Sequence, residues 1–365
     1  MTHDLPQMGS PRSRQAASTD RARRRRRSIW LIELSLVLLL LAAGGAGYWL
    51  YRHLNDNIKG VDLEQVIRDG RPMRLPDSGQ NLLVLGSDSR SGANASLATG
   101  KVAGAQSDTA MVIHISQGGS KAVAVSIPRD TLVTRPTCTA KDGTAIPSAQ
   151  RVMFNSVYSL AGPVCVVRTV EHMSGVRIDH FLEIDFAGFK ELVNAIGGVT
   201  VTVDQNIHDK FSGLDLSAGT HRLDGIQALQ FVRTRHGIGD GSDLGRIGLQ
   251  QQFLIALLSE VKKQHLLSSP TKAYRIANQV TASLTTDSGL ASLAKLVEFG
   301  RDMSGIDTSA LETIMLPVQY DLKDPNRVVA TQPQAGRLWQ ALRRDQKIPE
   351  AAKKPPTTGS LNPEA

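Results

Sequence analysis

Three arginines, one carboxylate and one amide are concentrated in one short stretch of the chain. Arg233 and Arg235 are two residues apart, so on an extended backbone both guanidinium groups would leave from the same side. A glycine-rich stretch follows, and either Ser242 or Asp243 can cap a helix that runs to about Gln264. The pattern therefore predicts a strand-like segment followed by a capped helix.

The chemistry suited to these residues is phosphate binding. On the predicted helix, Asp243, Arg246 and Gln250 are three and then four residues apart, so they share one face. Guanidinium groups bind phosphate oxygens through paired N–H donors and stay charged at neutral pH. We therefore predict a site for a phosphate-rich ligand. The alternative, that Arg233 and Arg235 form surface salt bridges, stays open at this point.

Polar clusters also adjoin three predicted strands. Apolar runs at 82–85, 110–115 and 122–127 are typical of buried strands. The adjoining polar residues are Asp88 and Arg90 after the first run, Asp108 before the second and Arg129 after the third. Because ligands bind beyond strand ends in open α/β sheets, we expect the clusters to converge. For any one cluster, a solvated turn or a cap is the alternative.

Further elements complete an α/β pattern. Helical spacing over 154–174 predicts an amphipathic helix, with its inward residues at Val157, Leu160, Val164, Val167 and Val170. Alternating Val and Thr predicts a strand over 199–203, and 215–225 is turn-rich. A helix is expected over 272–284 and a last strand over 311–316.

One long apolar run, at 29–51, is long enough to cross a bilayer as a helix. A cluster of arginines precedes it directly, which favours a cytoplasmic N-terminus. A cleaved signal peptide is the alternative, since small residues follow the leucines. The run continues past them to Tyr51, which favours an uncleaved anchor and an extracytoplasmic body.

The distribution of charge bears on nucleic-acid binding. The chain has 365 residues and a formal charge of +8, and eight arginines against two aspartates before residue 29 account for +6 of it. The body is nearly balanced, so a basic face for nucleic acid is not required. An apolar content of 41% is sufficient for a substantial core.

The two cysteines, Cys138 and Cys165, both follow the apolar run. Outside the cell such a pair favours a disulfide over free thiols, and the bond could contribute about 3 kcal/mol. Neither cysteine belongs to a metal-type cluster, so we interpret both as structural.

The ordered motifs resemble the LytR-CpsA-Psr family. They are Asn-Leu-Leu-Val-Leu-Gly-Ser-Asp-Ser-Arg, Ser-Asp-Thr, Ile-Pro-Arg-Asp and Arg-Thr-Arg followed by Asp-x-x-Arg, between about Asn81 and Lys262. The resemblance implies an α/β fold: a three-layer α-β-α extracytoplasmic domain with a mixed central sheet, on a single N-terminal transmembrane helix. It also implies Mg²⁺-dependent transfer of a glycopolymer from a polyprenyl-pyrophosphate carrier to peptidoglycan, with polyprenyl-pyrophosphate pyrophosphatase activity as a further expectation.

The resemblance assigns roles to individual residues. It implies that Asp88 and Asp108 bind Mg²⁺ and that Asp243 activates the acceptor hydroxyl. The residues implied around the pyrophosphate are Arg90, Arg129, Arg233, Arg235, Arg246 and Gln250. Of these, Arg233, Arg235 and Arg246 are also expected to be catalytic.

The chain departs from the family pattern at two positions. Leu249 stands where members often have arginine before the glutamine, and Met153 stands where many have lysine before Ile-Asn-x-x-Tyr. Either the cationic surroundings of the pyrophosphate are thinner here, or Arg151 replaces that lysine.

We therefore predict six segments. They are a cytoplasmic Arg-rich and disordered tail at 1–28, an anchor at 29–51, a stalk at 52–80, the catalytic domain at 81–265, C-terminal helices and a last strand at 266–345, and a disordered tail at 346–365. Two alternatives in function are a noncatalytic wall- or lipid-binding module and a membrane-bound transcriptional regulator. Nothing resembling a recognition helix accompanies the arginine-rich arm, so we expect no nucleic-acid partner.

Overall fold

A computed structural model describes residues 12–67, 70–88, 106–140, 143–235, 243–263, 270–307 and 310–353. The chain divides into two compact units, Met1–His53 and Leu54–Ala365. The predicted site residue Arg90 lies outside the described residues. The backbones of Asp88, Asp108 and Asp243 are described, but their side chains are not.

The first unit consists of most of helix α1, Arg12–Asp56. Within the described residues, α1 is the helix long and apolar enough to cross a membrane, over the 27 residues Trp30–Asp56. This finding supports a single-pass anchor where the sequence predicts one. The helix begins at Arg12, whereas we expected disorder up to residue 28, because arginine and alanine favour helix.

The second unit is built on a mixed β-sheet. Among the described residues, seven strands form it in the order β1 (Lys59–Val61), β14 (Leu284–Asp287), β9 (His180–Asp185), β2 (Gln80–Asp88), β3 (Gln106–Ile115), β4 (Ala122–Ser126) and β15 (Leu311–Met315). The pairs β1–β14, β2–β9 and β4–β15 are parallel, and the other neighbours are antiparallel. The predicted mixed sheet is confirmed.

Helices cover both faces of this sheet. Leu83, Leu85 and Val112 face a core shared with α3 (Phe154–Ser174) and α9 (Gln334–Arg343), which we call the α3-side core. Their neighbours Leu82 and Met111 face a core shared with α6 (Asp243–Lys263) and α8 (Leu293–Ser304). Successive strand residues point to opposite faces, which explains the apolar runs in the sequence. The three-layer prediction is confirmed.

A separate core, which we call the second core, lies beside the sheet. Its elements are α4 (Phe186–Ala195), α5 (Gly225–Arg233), α6, α7 (Pro270–Ser283), the pair β10 (Val199–Val203) with β13 (Gly219–Leu223), and the hairpin β11 (Ile207–Asp209) with β12 (Leu214–Leu216). The turn-rich prediction for 215–225 is wrong, because Leu214, Leu216 and Leu223 are buried strand residues. Ser217 and Gly219, which lie between Leu216 and Leu223, concealed the strand-like alternation of buried and exposed residues.

Shorter elements complete the unit. They are α2 (Leu63–Val66), the pair β5 (Leu132–Arg135) with β8 (Ala149–Met153), the pair β6 (Cys138–Thr139) with β7 (Ala145–Ile146), the pair β16 (Val318–Tyr320) with β17 (Val328–Ala330), and a 3-10 helix (Glu350–Ala352). Strands β16 and β17 follow the strand that we predicted to be the last one.

Three predicted boundaries differ from the structure. Residues 54–67, assigned to a stalk, contribute β1 and the buried side chains Leu54, Ile58 and Leu63. Strands β14 and β15 belong to the main sheet, so among the described residues the main unit continues past the predicted boundary at residue 265. Ile348 and Ala352 are buried in the α3-side core, so the tail at 346–365 is folded as far as residue 353.

Helix α3 has the predicted bounds but not the predicted inward face throughout. Leu160, expected to point inward, is 50% exposed. Gly162 has a non-helical backbone with φ 70° and ψ −165°, and Pro163 follows it. Leu160 thus lies in the turn just before a break in the helix, while Val157 before the break and Val167 and Val170 after it are buried as predicted.

A disulfide joins Cys138 of β6 to Cys165 of α3, across a Cα–Cα distance of 5.6 Å and a sequence separation of 27. Both residues are buried in the α3-side core. We expect thiol labelling of the denatured, unreduced full-length protein to modify neither cysteine. The Cys138→Ser variant is the control, because it must expose one reactive thiol at Cys165. Two labelled thiols in the native sequence would contradict the bond.

Candidate functional site

The ends of three strands meet at one edge of the main sheet. Ser87 of β2 pairs with Ser107 of β3, and Met111 of β3 pairs with Ser126 at the end of β4. The polar clusters found in the sequence therefore converge, because antiparallel neighbours bring the end of one strand to the start of the next. We call this edge, marked by Ser87, Ser107 and Ser126, the polar edge.

The two predicted metal-binding aspartates both have backbones at the polar edge. Asp88 pairs with Gln106, and the pairing then passes from Ser107 to Thr109, so Asp108 occupies a β-bulge. Bulges change the direction of a strand locally and are frequent next to active sites. Among the described side chains, no group of three or more His, Cys, Asp or Glu could hold a metal. Mg²⁺ binding therefore stays a prediction.

Arg129 follows β4 at the same edge. Its carbonyl oxygen accepts a hydrogen bond from the backbone N–H of Asn155, at 3.0 Å, which fixes the start of α3 beside it. The Arg129 Nε lies 3.5 Å from Asp130 Oδ2. The backbone of Arg129 is thus fixed at the polar edge by α3, and its side chain is paired with the neighbouring Asp130.

The segment around Arg233 is helical, which corrects the extended backbone that we predicted. Helix α5 ends at Arg233, and Thr234 takes an extended conformation. The helix starts with a capping box, in which the Asp224 side chain and the Gln227 side chain each bond the other's backbone N–H. The spacing of Asp224 and Gln227 is a sequence signal that could have identified this helix.

Arg233 lies beside the end of β9. Its guanidinium carbon is 4.7 Å from the centroid of the Phe186 ring, a cation–π geometry. Phe186 directly follows Asp185, which pairs with Ser87 at the polar edge. The structure therefore brings Arg233 to the edge that carries Asp88 and Asp108.

Arg235 is positioned through its backbone. The buried carboxylate of Asp209 accepts the N–H of Arg235 at 2.9 Å through one oxygen and the N–H of Phe211 at 2.9 Å through the other. In addition, the hydroxyls of Ser212 and Thr234 are 2.8 Å apart and hydrogen-bonded. Sequence reasoning did not identify Asp209, because it is 26 residues from Arg235 and no local pattern connects them.

Helix α6 joins residues 232–235, which we call the arginine segment, to the sheet. The Gln250 amide donates to Thr109 Oγ1 at 3.0 Å and to the Val232 carbonyl at 3.1 Å. Arg246 is one turn earlier on the same helix and is 2% exposed. The helix runs close to the predicted bounds, and it places Gln250 between α5 and β3.

The structure bears on both departures from the family pattern. Leu249 is buried in the second core with Phe253, so that position is a packing position in this fold. The Arg151 guanidinium donates to Asp321 Oδ2 at 2.6 Å, and the Arg151 backbone has φ 54°. Because the Arg151 guanidinium is bound to Asp321, the geometry favours thinner cationic surroundings of the pyrophosphate over the alternative that Arg151 replaces the family's lysine.

A tyrosine–carboxylate pair lies on the α3 side of the sheet near the polar edge. The Tyr158 hydroxyl donates to Glu183 Oε1, and Glu183 pairs with Leu85, two residues before Ser87. Burial, together with the negative charge of Glu183, raises the pKa of Tyr158 well above its ordinary value. The hydroxyl therefore stays protonated and orients Glu183. The sequence analysis missed this pair, because the contact is tertiary.

Comparisons with known proteins extend these findings. A model of the LytR_cpsA_psr family matches residues 50–344. The chain is 34% identical over 218 residues to "Probable cell wall biosynthesis protein LcpB" of Corynebacterium glutamicum, covering 58% of this chain and 49% of that protein. It is 31% identical over 284 residues to "Polyisoprenyl-teichoic acid--peptidoglycan teichoic acid transferase TagU" of Oceanobacillus iheyensis, covering 75% and 81%.

A solved structure has a similar fold. The "LytR-Csp2A-Psr enzyme from Actinomyces oris" matches with a TM-score of 0.57 and 25% identity, over 78% of this chain and 96% of that one. The chain spans about half the length of LcpB, at 49%, and of the C. glutamicum "Cell wall biosynthesis protein LcpA", at 53%.

Proposed function

Because this chain belongs to the LytR-CpsA-Psr family, we propose that it moves a glycopolymer from a polyprenyl-pyrophosphate carrier onto a peptidoglycan sugar hydroxyl during cell-wall assembly. The name of its relative TagU, a polyisoprenyl-teichoic acid–peptidoglycan teichoic acid transferase, supports both the donor and the acceptor class. The observation that carries the proposal is the pair of hydrogen bonds from Gln250 to Thr109 and Val232, which join the arginine segment to the polar edge.

The proposed step is a phosphoryl transfer. The oxygen of an acceptor hydroxyl forms a bond to the sugar-linked phosphorus of the donor. The bond from that phosphorus to the bridging oxygen breaks, and polyprenyl phosphate leaves with the electron pair. The hydroxyl proton passes to Asp243. The donor is already activated, so the protein has to position it and stabilise negative charge.

The arginines meet the electrostatic requirement. Arg129 and Arg233 are at the polar edge, and the buried Arg246 lies on the helix that reaches it. Guanidinium groups placed before the reaction stabilise charge without reorganising as it develops. We assign to these three residues, with Arg90, Arg235 and Gln250, the binding of the pyrophosphate oxygens.

Asp88 and Asp108 are the residues that would hold Mg²⁺. Their backbones are close, on paired strands at the polar edge, and carboxylate oxygens are preferred ligands of this hard cation. When bound, Mg²⁺ would neutralise charge on the pyrophosphate. Our proposal for these aspartates rests on the fit of their chemistry and register.

The proposed topology puts the N-terminus in the cytoplasm and the second unit outside the cell membrane. The arginines before residue 29 support this orientation. Protease added to intact protoplasts is expected to digest the Leu54–Ala365 unit, with a cytoplasmic protein of the same cells as the protected control. If that unit is fully protected until the protoplasts are lysed, it lies in the cytoplasm and the proposed orientation is wrong.

The full-length protein in detergent provides the test of function. It would be incubated with Mg²⁺, a polyprenyl-pyrophosphate-linked disaccharide and purified glycan strands of peptidoglycan. We expect release of polyprenyl phosphate together with a disaccharide phosphate joined to the strands. Donor binding without either product would contradict the proposal and favour a noncatalytic lipid- or wall-binding module.

A further inference from the structure

The β11–β12 hairpin exposes a phenylalanine at its turn. Phe211 is 75% exposed, whereas the strand residues on either side alternate regularly between the second core and solvent. Ile207, Asp209 and Leu214 are buried and anchor the hairpin. A large apolar side chain at an exposed turn costs solvation, and such exposure often marks a contact surface.

The turn that carries Phe211 is fixed to the arginine segment. The N–H groups of Phe211 and Arg235 donate to the two oxygens of one buried carboxylate, Asp209, each at 2.9 Å. The next residue, Ser212, is hydrogen-bonded to Thr234 at 2.8 Å. The backbones of Phe211 and Arg235 are therefore neighbours, and the exposed ring projects from a turn next to Arg235, one of the residues to which we assign the pyrophosphate.

The surroundings of the ring are polar. Lys210 is exposed next to it in sequence, and on the strands of the hairpin the exposed His208 and Asp215 side chains approach to 3.5 Å. An isoprenoid chain needs a continuous apolar surface, which this hairpin does not offer. A sugar ring fits better, because it presents C–H groups on its face and hydroxyls around its rim.

We propose that Phe211 is an acceptor-side specificity residue, whose ring packs against a sugar of the peptidoglycan strand while the proposed arginines hold the donor. This inference rests on the proposed function and assigns a surface to its acceptor. The negative face of an aromatic ring attracts polarised C–H groups. A phenylalanine also loses little conformational entropy when it is covered, since it has two side-chain torsions. Lys210 and His208, both exposed on the same hairpin, supply hydrogen-bonding groups for sugar hydroxyls.

The test compares the full-length wild type with Phe211→Ala and Phe211→Tyr. Leu322→Ala is the matched control, because Leu322 is another exposed apolar residue, at 97%. With the polyprenyl-pyrophosphate disaccharide as donor and soluble glycan strands as acceptor, Phe211→Ala is expected to raise the KM for strands roughly tenfold, at an unchanged KM for donor. Phe211→Tyr and Leu322→Ala are expected to stay within about threefold of wild type, because neither change removes the ring.

Binding of the strands, measured by cosedimentation with insoluble peptidoglycan, separates this inference from the proposed function. If the wild type releases no polyprenyl phosphate but binds peptidoglycan better than Phe211→Ala does, the proposed function is contradicted and the proposed glycan contact stands. Binding and acceptor KM that are equal in wild type and Phe211→Ala would overturn the inference, and so would a parallel rise in the KM for donor.

Discussion

Replacing Arg235 by lysine is expected to slow the release of polyprenyl phosphate by about a hundred- to a thousandfold, as for the loss of one preorganised transition-state contact. Lysine keeps the positive charge but loses the planar pair of N–H donors that binds two phosphate oxygens. The backbone N–H of Arg235, which bonds Asp209, is unchanged by the substitution. Initial rates of the full-length variants measure the effect, once their unfolding temperatures are shown to match the wild type.

Arg222→Lys is the matched control. The Arg222 side chain is 50% exposed and donates to the Gly197 carbonyl and to Glu260. An exposed ion pair is worth at most about 1 kcal/mol, so this variant is expected to stay within about fivefold of wild type. Arg233→Lys is expected to behave like Arg235→Lys. Near-wild-type rates for both would show that these arginines form ordinary surface contacts.

Asparagine at Asp88 or Asp108 is expected to lower the transfer rate by about a hundredfold or more and to raise the Mg²⁺ concentration needed for half-maximal rate. Each substitution removes a negative charge from a proposed ligand of the cation while nearly preserving its size. A Mg²⁺ titration of the initial rate measures both effects. An unfolding curve for each variant tests whether the β-bulge tolerates the change.

Asp204→Asn provides the comparison, since Asp204 is an exposed aspartate of the same unit. Its rate and its Mg²⁺ response are expected to match the wild type. A Mg²⁺ response that is unchanged in both Asp88→Asn and Asp108→Asn would remove these two residues from the proposed metal site.

Elements with a strong local signal were predictable from the sequence. The Val-Thr alternation gave β10 its bounds, and positive φ angles at Gly197 and Gly198 explain why the preceding helix stops there. The bounds of α3 were also correct. Its inward face was correct except at Leu160, which is exposed in the turn before the break at Gly162.

Contacts between distant segments were not predictable in this way. The burial of the Asp209 carboxylate under Arg235 depends on a hairpin and a helix end that meet only in the folded protein. Three residues of strand β1 are too few to show a period, so the sequence resembled a stalk there. Of the predicted site, the structure brings Arg233 and Gln250 to the edge where the strand-end clusters meet, while the roles of these residues await the assays.

The interleaved order of the sheet has a consequence for shortened versions of this protein. Strand β14 lies between β1 and β9, and β15 covers the other side of β4, although both come after residue 265. A chain ending at residue 265 would leave β1 without its neighbour and would turn β9 and β4 into open edges, whose unpaired N–H and C=O groups recruit other chains. Such a fragment is expected to aggregate even though it keeps every residue assigned to the chemistry.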